Sequence, residues 1–123
     1  MSENERTPVL LIEDDPDIHD SLKFFFKLEG IDVVPAYHGA EALTYLREGK
    51  PLKAILVDLM MPVMDGYEFI AHLETPEFAA RRDVPIIVLS ASTDAERLAR
   101  EKNYAFVRKP IDLSELLAKI KME

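Results

Sequence analysis

The chain has 123 residues, enough for one domain with a real apolar core and no need of covalent staples. It contains no cysteine, which excludes a disulfide framework, and its 15 basic against 23 acidic residues leave a formal charge of −8 that opposes non-specific binding to nucleic acid. No apolar stretch approaches the length of a bilayer span, and the opening MSENERT lacks the cationic and apolar regions of a secretory signal. The expectation is a soluble, cytoplasmic protein that neither contacts nucleic acid directly nor inserts into a membrane.

After a polar tail over residues 1–7, Val9 to Ile12 reads as a buried strand that runs into Glu13 and Asp14. Asp15 and Pro16 then have the form of an N-cap with proline at the first helical position, opening a helix in which Ile18, Leu22, Phe25 and Phe26 share a face and which Gly30 closes. Ile31 to Ala36 makes a second strand, and Ala40, Leu43 and Leu46 mark a second helix that ends near Gly49 and Pro51. The third strand, Ala54 to Val57, delivers Asp58. A capping box over Asp65 to Glu68 predicts the start of a third helix. The fourth strand, Ile86 to Leu89, ends at Ser90, and Thr93 with Glu96 offers a second capping box. A strand through Ala105, Phe106 and Val107 leads past Arg108 to Lys109, and Asp112 with Glu115 offers a third capping box before the Leu113, Leu116, Leu117 and Ile120 face of a last helix.

Alternating strands and helices without repeat or linker predict one α/β domain over residues 8–123, built around a parallel sheet. Such a sheet brings Glu13, Asp14, Asp58, Ser90 and Lys109 to one edge, where open α/β sheets bind ligands. Three carboxylates held together repel and raise one another's pKa, a conflict that a cation resolves, and magnesium prefers oxygen ligands of this kind. A carboxylate can also act as nucleophile toward a phosphoryl group and give an acyl phosphate. Taken alone, Asp58 reads better as the cap of a strand or loop, Ser90 as a turn residue and Lys109 as a solvated charge. Asp15, followed by proline, is assigned to capping and not to the metal.

The segments VLLIEDDPDI, ILVDLMMPVMDGYEF, PIIVLSAS and AFVRKPID together resemble the response-regulator receiver domain, from about Val9 to Ile120. The resemblance implies a doubly wound (βα)5, flavodoxin-like parallel sheet of order 2-1-3-4-5 with helices on both faces, the arrangement found in a chemotaxis member of this same family. It implies that Asp58 accepts phosphate, that Asp14 and Asp58 ligate Mg2+ directly with the Met60 carbonyl, and that Glu13 acts through water. Ser90 and Lys109 would engage the phosphoryl oxygens, the Lys109–Pro110 peptide would be cis, and Ser90 with Phe106 would form the switch. Phe106 has no hydroxyl, so any switch through it must be steric. The implied partners are a histidine kinase or histidine phosphotransfer protein upstream and a protein partner downstream, with a homodimer as a further candidate. Two other readings on the same fold are a non-phosphorylated pseudo-receiver that binds protein and a magnesium-dependent phosphohydrolase. The latter is disfavoured by the lack of a glycine-rich phosphate loop.

The span from Ser90 to Lys109 is short for the family, and Lys102-Asn103 stands where Gly-Ala is usual, so a shortened or irregular fourth helix is expected. Phe24 and Leu28 fall off the apolar face of the first helix, which marks them as a candidate docking patch. Met60 cannot orient a hydrolytic water as an amide or carboxylate could, and the aspartyl phosphate is expected to be long-lived. Met60→Asn should therefore shed phosphate faster than the parent in a decay time course; an equal or slower loss refutes the expectation.

Overall fold

The computed structural model describes residues 7–59 and 65–122. Five parallel strands, β1 (Val9–Ile12), β2 (Val33–Ala36), β3 (Ala54–Asp58), β4 (Ile86–Ser90) and β5 (Ala105–Arg108), lie in the order β2-β1-β3-β4-β5. They alternate with helices α1 (Pro16–Leu28), α2 (Gly39–Arg47), α3 (Gly66–Leu73), α4 (Thr93–Glu101) and α5 (Leu113–Met122), and a 3-10 turn over Pro76–Arg81 follows α3. This is the doubly wound order that the resemblance implies.

The pleat sorts the strands' apolar residues onto two faces. Val9 and Leu11 pack with Leu22 and Phe26 of α1 and with Leu116 and Ile120 of α5. Leu10 and Ile12 face the other way, toward Ala42, Leu43 and Leu46 of α2, Phe69 and Ile70 of α3, and Ala95 and Ala99 of α4. Both faces being covered explains why β1, β3 and β4 are uniformly buried and read as continuous apolar runs. Each fully buried side chain of leucine or phenylalanine size contributes about 1.5–3 kcal/mol. The sheet that carries the strand ends is therefore held by packing on both of its faces.

Local chemistry sets the helix starts. Asp15 caps α1 by accepting from the Asp17 N–H at 2.9 Å, Asp65 caps α3 by accepting from the Glu68 N–H at 2.9 Å, and Asp112 accepts from the Glu115 N–H at 3.0 Å. At α4 the expectation is corrected by one residue: Ser92, not Thr93, is the cap, and it accepts from the Ala95 N–H at 3.3 Å. Strand β2 also starts later than expected, at Val33, because the Ile31 N–H is taken by the Phe26 carbonyl in the turn that ends α1. Helix α4 runs over nine residues without a break, so it is not irregular. Its exit uses Asn103 at φ 62°, the left-handed position that asparagine tolerates in place of glycine. Phe24 and Leu28 are 66% and 69% exposed, as their position off the apolar face requires.

Gly66 is the first residue of α3, and its N–H donates to the Leu59 carbonyl at 3.0 Å. A Cβ there would lie 2.6 Å from Leu59 Cα and 2.7 Å from the Asp58 carbonyl oxygen, both backbone atoms that cannot swing aside. Gly66→Ala should lower stability by about 1–3 kcal/mol through overpacking, read as a lower urea midpoint; an unchanged midpoint would show that the β3 end can yield.

Candidate functional site

Glu13 and Asp14 directly follow β1, Asp58 is the last residue of β3, Ser90 is the last of β4, and Lys109 directly follows β5. The reversal of strand order between β1 and β3 opens the crevice into which these ends project. Burial differs sharply among them: Glu13, Asp58 and Ser90 are 1%, 5% and 2% exposed, whereas Asp14 is exposed to solvent.

Carboxylate oxygens of Glu13, Asp14 and Asp58 all lie within 4.8 Å of one another. The Lys109 ammonium reaches over from the far side of the sheet and donates to Glu13 Oε1 at 2.7 Å and to Asp58 Oδ2 at 3.2 Å. Three carboxylates against one ammonium leave excess negative charge when all are ionised. An anionic, all-oxygen donor set of this spacing fits a hard divalent cation. Burial pushes the Glu13 carboxyl from 4.5 up to about 7; the hydrogen bond from Lys109 opposes the rise and the charge of Asp58 adds to it. For Lys109, burial alone would lower the ammonium's pKa, but the hydrogen bond to Glu13 and the charges of Asp58 and Glu13 outweigh it and leave the pKa raised.

Ser90 Oγ accepts from the Ser92 N–H at 3.0 Å, which leaves the hydroxyl proton available to a ligand oxygen. Asp58, Ser90, Ala91, Ser92 and Lys109 line an open pocket of about 410 Å³. The Lys109–Pro110 peptide is cis, as the resemblance implies. Phe106 is half-buried on β5, paired in register with Val88, with the Arg108 guanidinium carbon 5.6 Å from its ring centroid. Asp15 points its carboxylate into the start of α1 and stays with capping. Met60 lies outside the described residues.

Two residues near these ends carry roles the strand pattern does not announce. Arg108 donates to the Ala91 carbonyl at 2.9 Å and to Glu96 Oε1 at 2.7 Å, tying β5 to the loop after Ser90 and to α4. His19 is 4% exposed and sits 2.6 Å through Nε2 from the Glu13 carbonyl oxygen. A signal for His19 was present in the sequence: it precedes Leu22 and Phe26 on the buried stripe of α1, an unusual place for a polar ring.

The raised carboxyl of Glu13 has a definite pH signature. The folded protein holds this proton up to about pH 7 while the unfolded chain releases it near 4.5, so the group's contribution to stability is present below 4.5 and is lost as pH rises toward 7. In metal-free buffer the melting temperature should fall across that window, and Glu13→Gln, which cannot ionise, should flatten the slope. Parallel pH profiles of the two proteins would exclude the assignment.

The model of the response regulator receiver domain family matches residues 9–121. The transcriptional regulatory protein PrrA of Mycobacterium tuberculosis is 39% identical over 116 residues, covering 92% of this chain and 48% of its own. An uncharacterised 14.6 kDa protein of Leptolyngbya boryana is 34% identical, covering 89% of this chain and 83% of its own. The response regulator receiver protein of Pseudomonas putida superposes with a TM-score of 0.82 at 32% identity, covering 96% of this chain and 98% of that one. The chain spans about half the length of PrrA and of several similar curated relatives. Matched span and strand order agree with the acidic crevice, and the chain belongs to the receiver domains of two-component response regulators.

Proposed function

We propose that this chain accepts a phosphoryl group on Asp58 in a magnesium-dependent reaction that its own residues promote, and that it signals by the rearrangement that follows. Receiver domains are phosphoacceptor switches and not enzymes that turn over an external substrate. The observation that carries the proposal is the Lys109 ammonium bridging Glu13 and Asp58 inside a cluster of carboxylates at the strand ends.

An Asp58 oxygen attacks the phosphorus of the donor, the bond from phosphorus to the donor's leaving atom breaks, and an acyl phosphate forms. Asp14 and Asp58 would hold Mg2+ directly with the Met60 carbonyl, and Glu13 would act through water; when bound, the ion would neutralise charge on the transferring group. Lys109 is already in contact with Asp58 and turns its ammonium to a phosphoryl oxygen, a charge-assisted hydrogen bond. The Ser90 hydroxyl donates to another. Drawing Ser90 toward the phosphate pulls on Ala91, and Arg108 holds the Ala91 carbonyl while covering Phe106, which supports a steric path from Ser90 to Phe106.

The proposed phosphoryl source is a histidine kinase or histidine phosphotransfer protein, with a protein partner or a second copy of the chain as the reader of the switch. The polar residues 1–7 are proposed to lie outside the receiver unit at 8–123. Among the described residues no helix is long and apolar enough to cross a membrane, and a cytoplasmic site of action is proposed.

Intact mass after incubation with Mg2+ and a small acyl phosphate should show one phosphoryl group added to the parent and none to Asp58→Asn. No addition to the parent supports the pseudo-receiver, and consumption of the donor without accumulation supports the phosphohydrolase. Millimolar Mg2+ should also raise the parent's melting temperature by ligand linkage.

A further inference from the structure

Glu13 is held from several sides. Its N–H donates to the Ala36 carbonyl of β2 at 3.0 Å, and its side chain meets Lys109 and, at 3.3 Å, the Asp15 N–H. The remaining group is its carbonyl, which belongs to the peptide that joins Glu13 to Asp14. That oxygen lies 2.6 Å from His19 Nε2.

A carbonyl oxygen only accepts, so Nε2 must carry the proton, and neutral His19 then has Nδ1 as an acceptor. Nδ1 is buried and has no hydrogen-bond partner among the described residues. The ring is flanked by Tyr37, with centroids 4.3 Å apart, so an apolar aromatic side chain would fill the same space without burying a bare acceptor. What histidine adds over such a side chain is one directed hydrogen bond, aimed at the peptide between the two acidic residues.

We propose that His19 is a positioning residue for the acidic site: by fixing the Glu13–Asp14 peptide plane it sets ψ of Glu13 and φ of Asp14, and so aims both carboxylates at the divalent cation. The inference rests on the reading of that cluster as a Mg2+ site. Asp14 is exposed and its side chain meets the Glu13 carboxyl, so the backbone that carries it contributes to its direction. Outer groups that orient metal ligands commonly change affinity by about ten- to a hundredfold when removed.

The test compares His19→Phe, which keeps the ring and the stack but cannot donate, with His19→Gln, whose amide nitrogen can take the place of Nε2. Calorimetric titration with Mg2+ should show affinity roughly tenfold weaker in His19→Phe and restored to within about threefold in His19→Gln. Nitrogen chemical shifts of the His19 ring in the parent should report the Nε2–H tautomer, a reading that does not depend on either variant folding. Parental affinity in His19→Phe, no rescue by His19→Gln, or an Nδ1–H tautomer would overturn the proposal. A parent that binds no Mg2+ would overturn the metal site itself together with it.

Discussion

Glu13, Asp14 and Asp58 are brought together by a sheet whose stability comes from elsewhere, and their mutual repulsion is opposed mainly by the Lys109 ammonium. Burial first, and this crowding of charge after it, leave their mark on the crevice. The Glu13 carboxyl retains its proton well above the usual range, and the ammonium is committed to two carboxylates at once. A site in this condition gains by taking up positive charge. The apolar packing on both faces of the sheet is what permits charges of one sign to be held so close without spreading apart.

The two faces contribute differently. Helices α1 and α5 cover one face, while α2, α3 and α4 cover the other. The site lies at the edge between them, so groups from both layers can reach it: His19 from α1 supports the β1 end, and Gly66 of α3 presses directly against the β3 end. Arg108 works at the β4–β5 end of the same edge. Its pair with Glu96 is exposed and contributes little to stability, but it gives the loop after Ser90 and the start of α4 a common anchor.

The fold was legible because β1, β3 and β4 are buried on both faces and so appear as unbroken apolar runs, each followed by a residue with a distinct chemical function. Capping by Asp15, Asp65 and Asp112 was legible for a similar reason, since aspartate before a helix has few competing uses. Ser92 and Thr93 are adjacent hydroxyls of equal capping competence, and only the backbone geometry of the turn separates them. Ile31 is apolar and buried whether or not it pairs, so the start of β2 could not be read from hydropathy. Arg108 was missed because it acts on a backbone carbonyl, which leaves no trace in side-chain patterns; His19 stood on the buried stripe of α1, but its carbonyl partner left no such mark.

Arg108 and Lys109 are consecutive in the chain, yet the first turns to Ala91 and Glu96 while the second turns to Glu13 and Asp58. Adjacent side chains at the strand's end thus send one cation to the acidic cluster and its neighbour to the loop after Ser90 and to α4. A shift of β5 by a single residue against β4 in one direction would move Arg108 into the place of Lys109 and Val107 into that of Arg108, putting a broad guanidinium where the compact ammonium sits and releasing the loop at Ala91. The turn through Asn103 therefore acts as a length gauge: substitutions there that keep the left-handed bend leave both cations in place, but a one-residue insertion or deletion would displace both together.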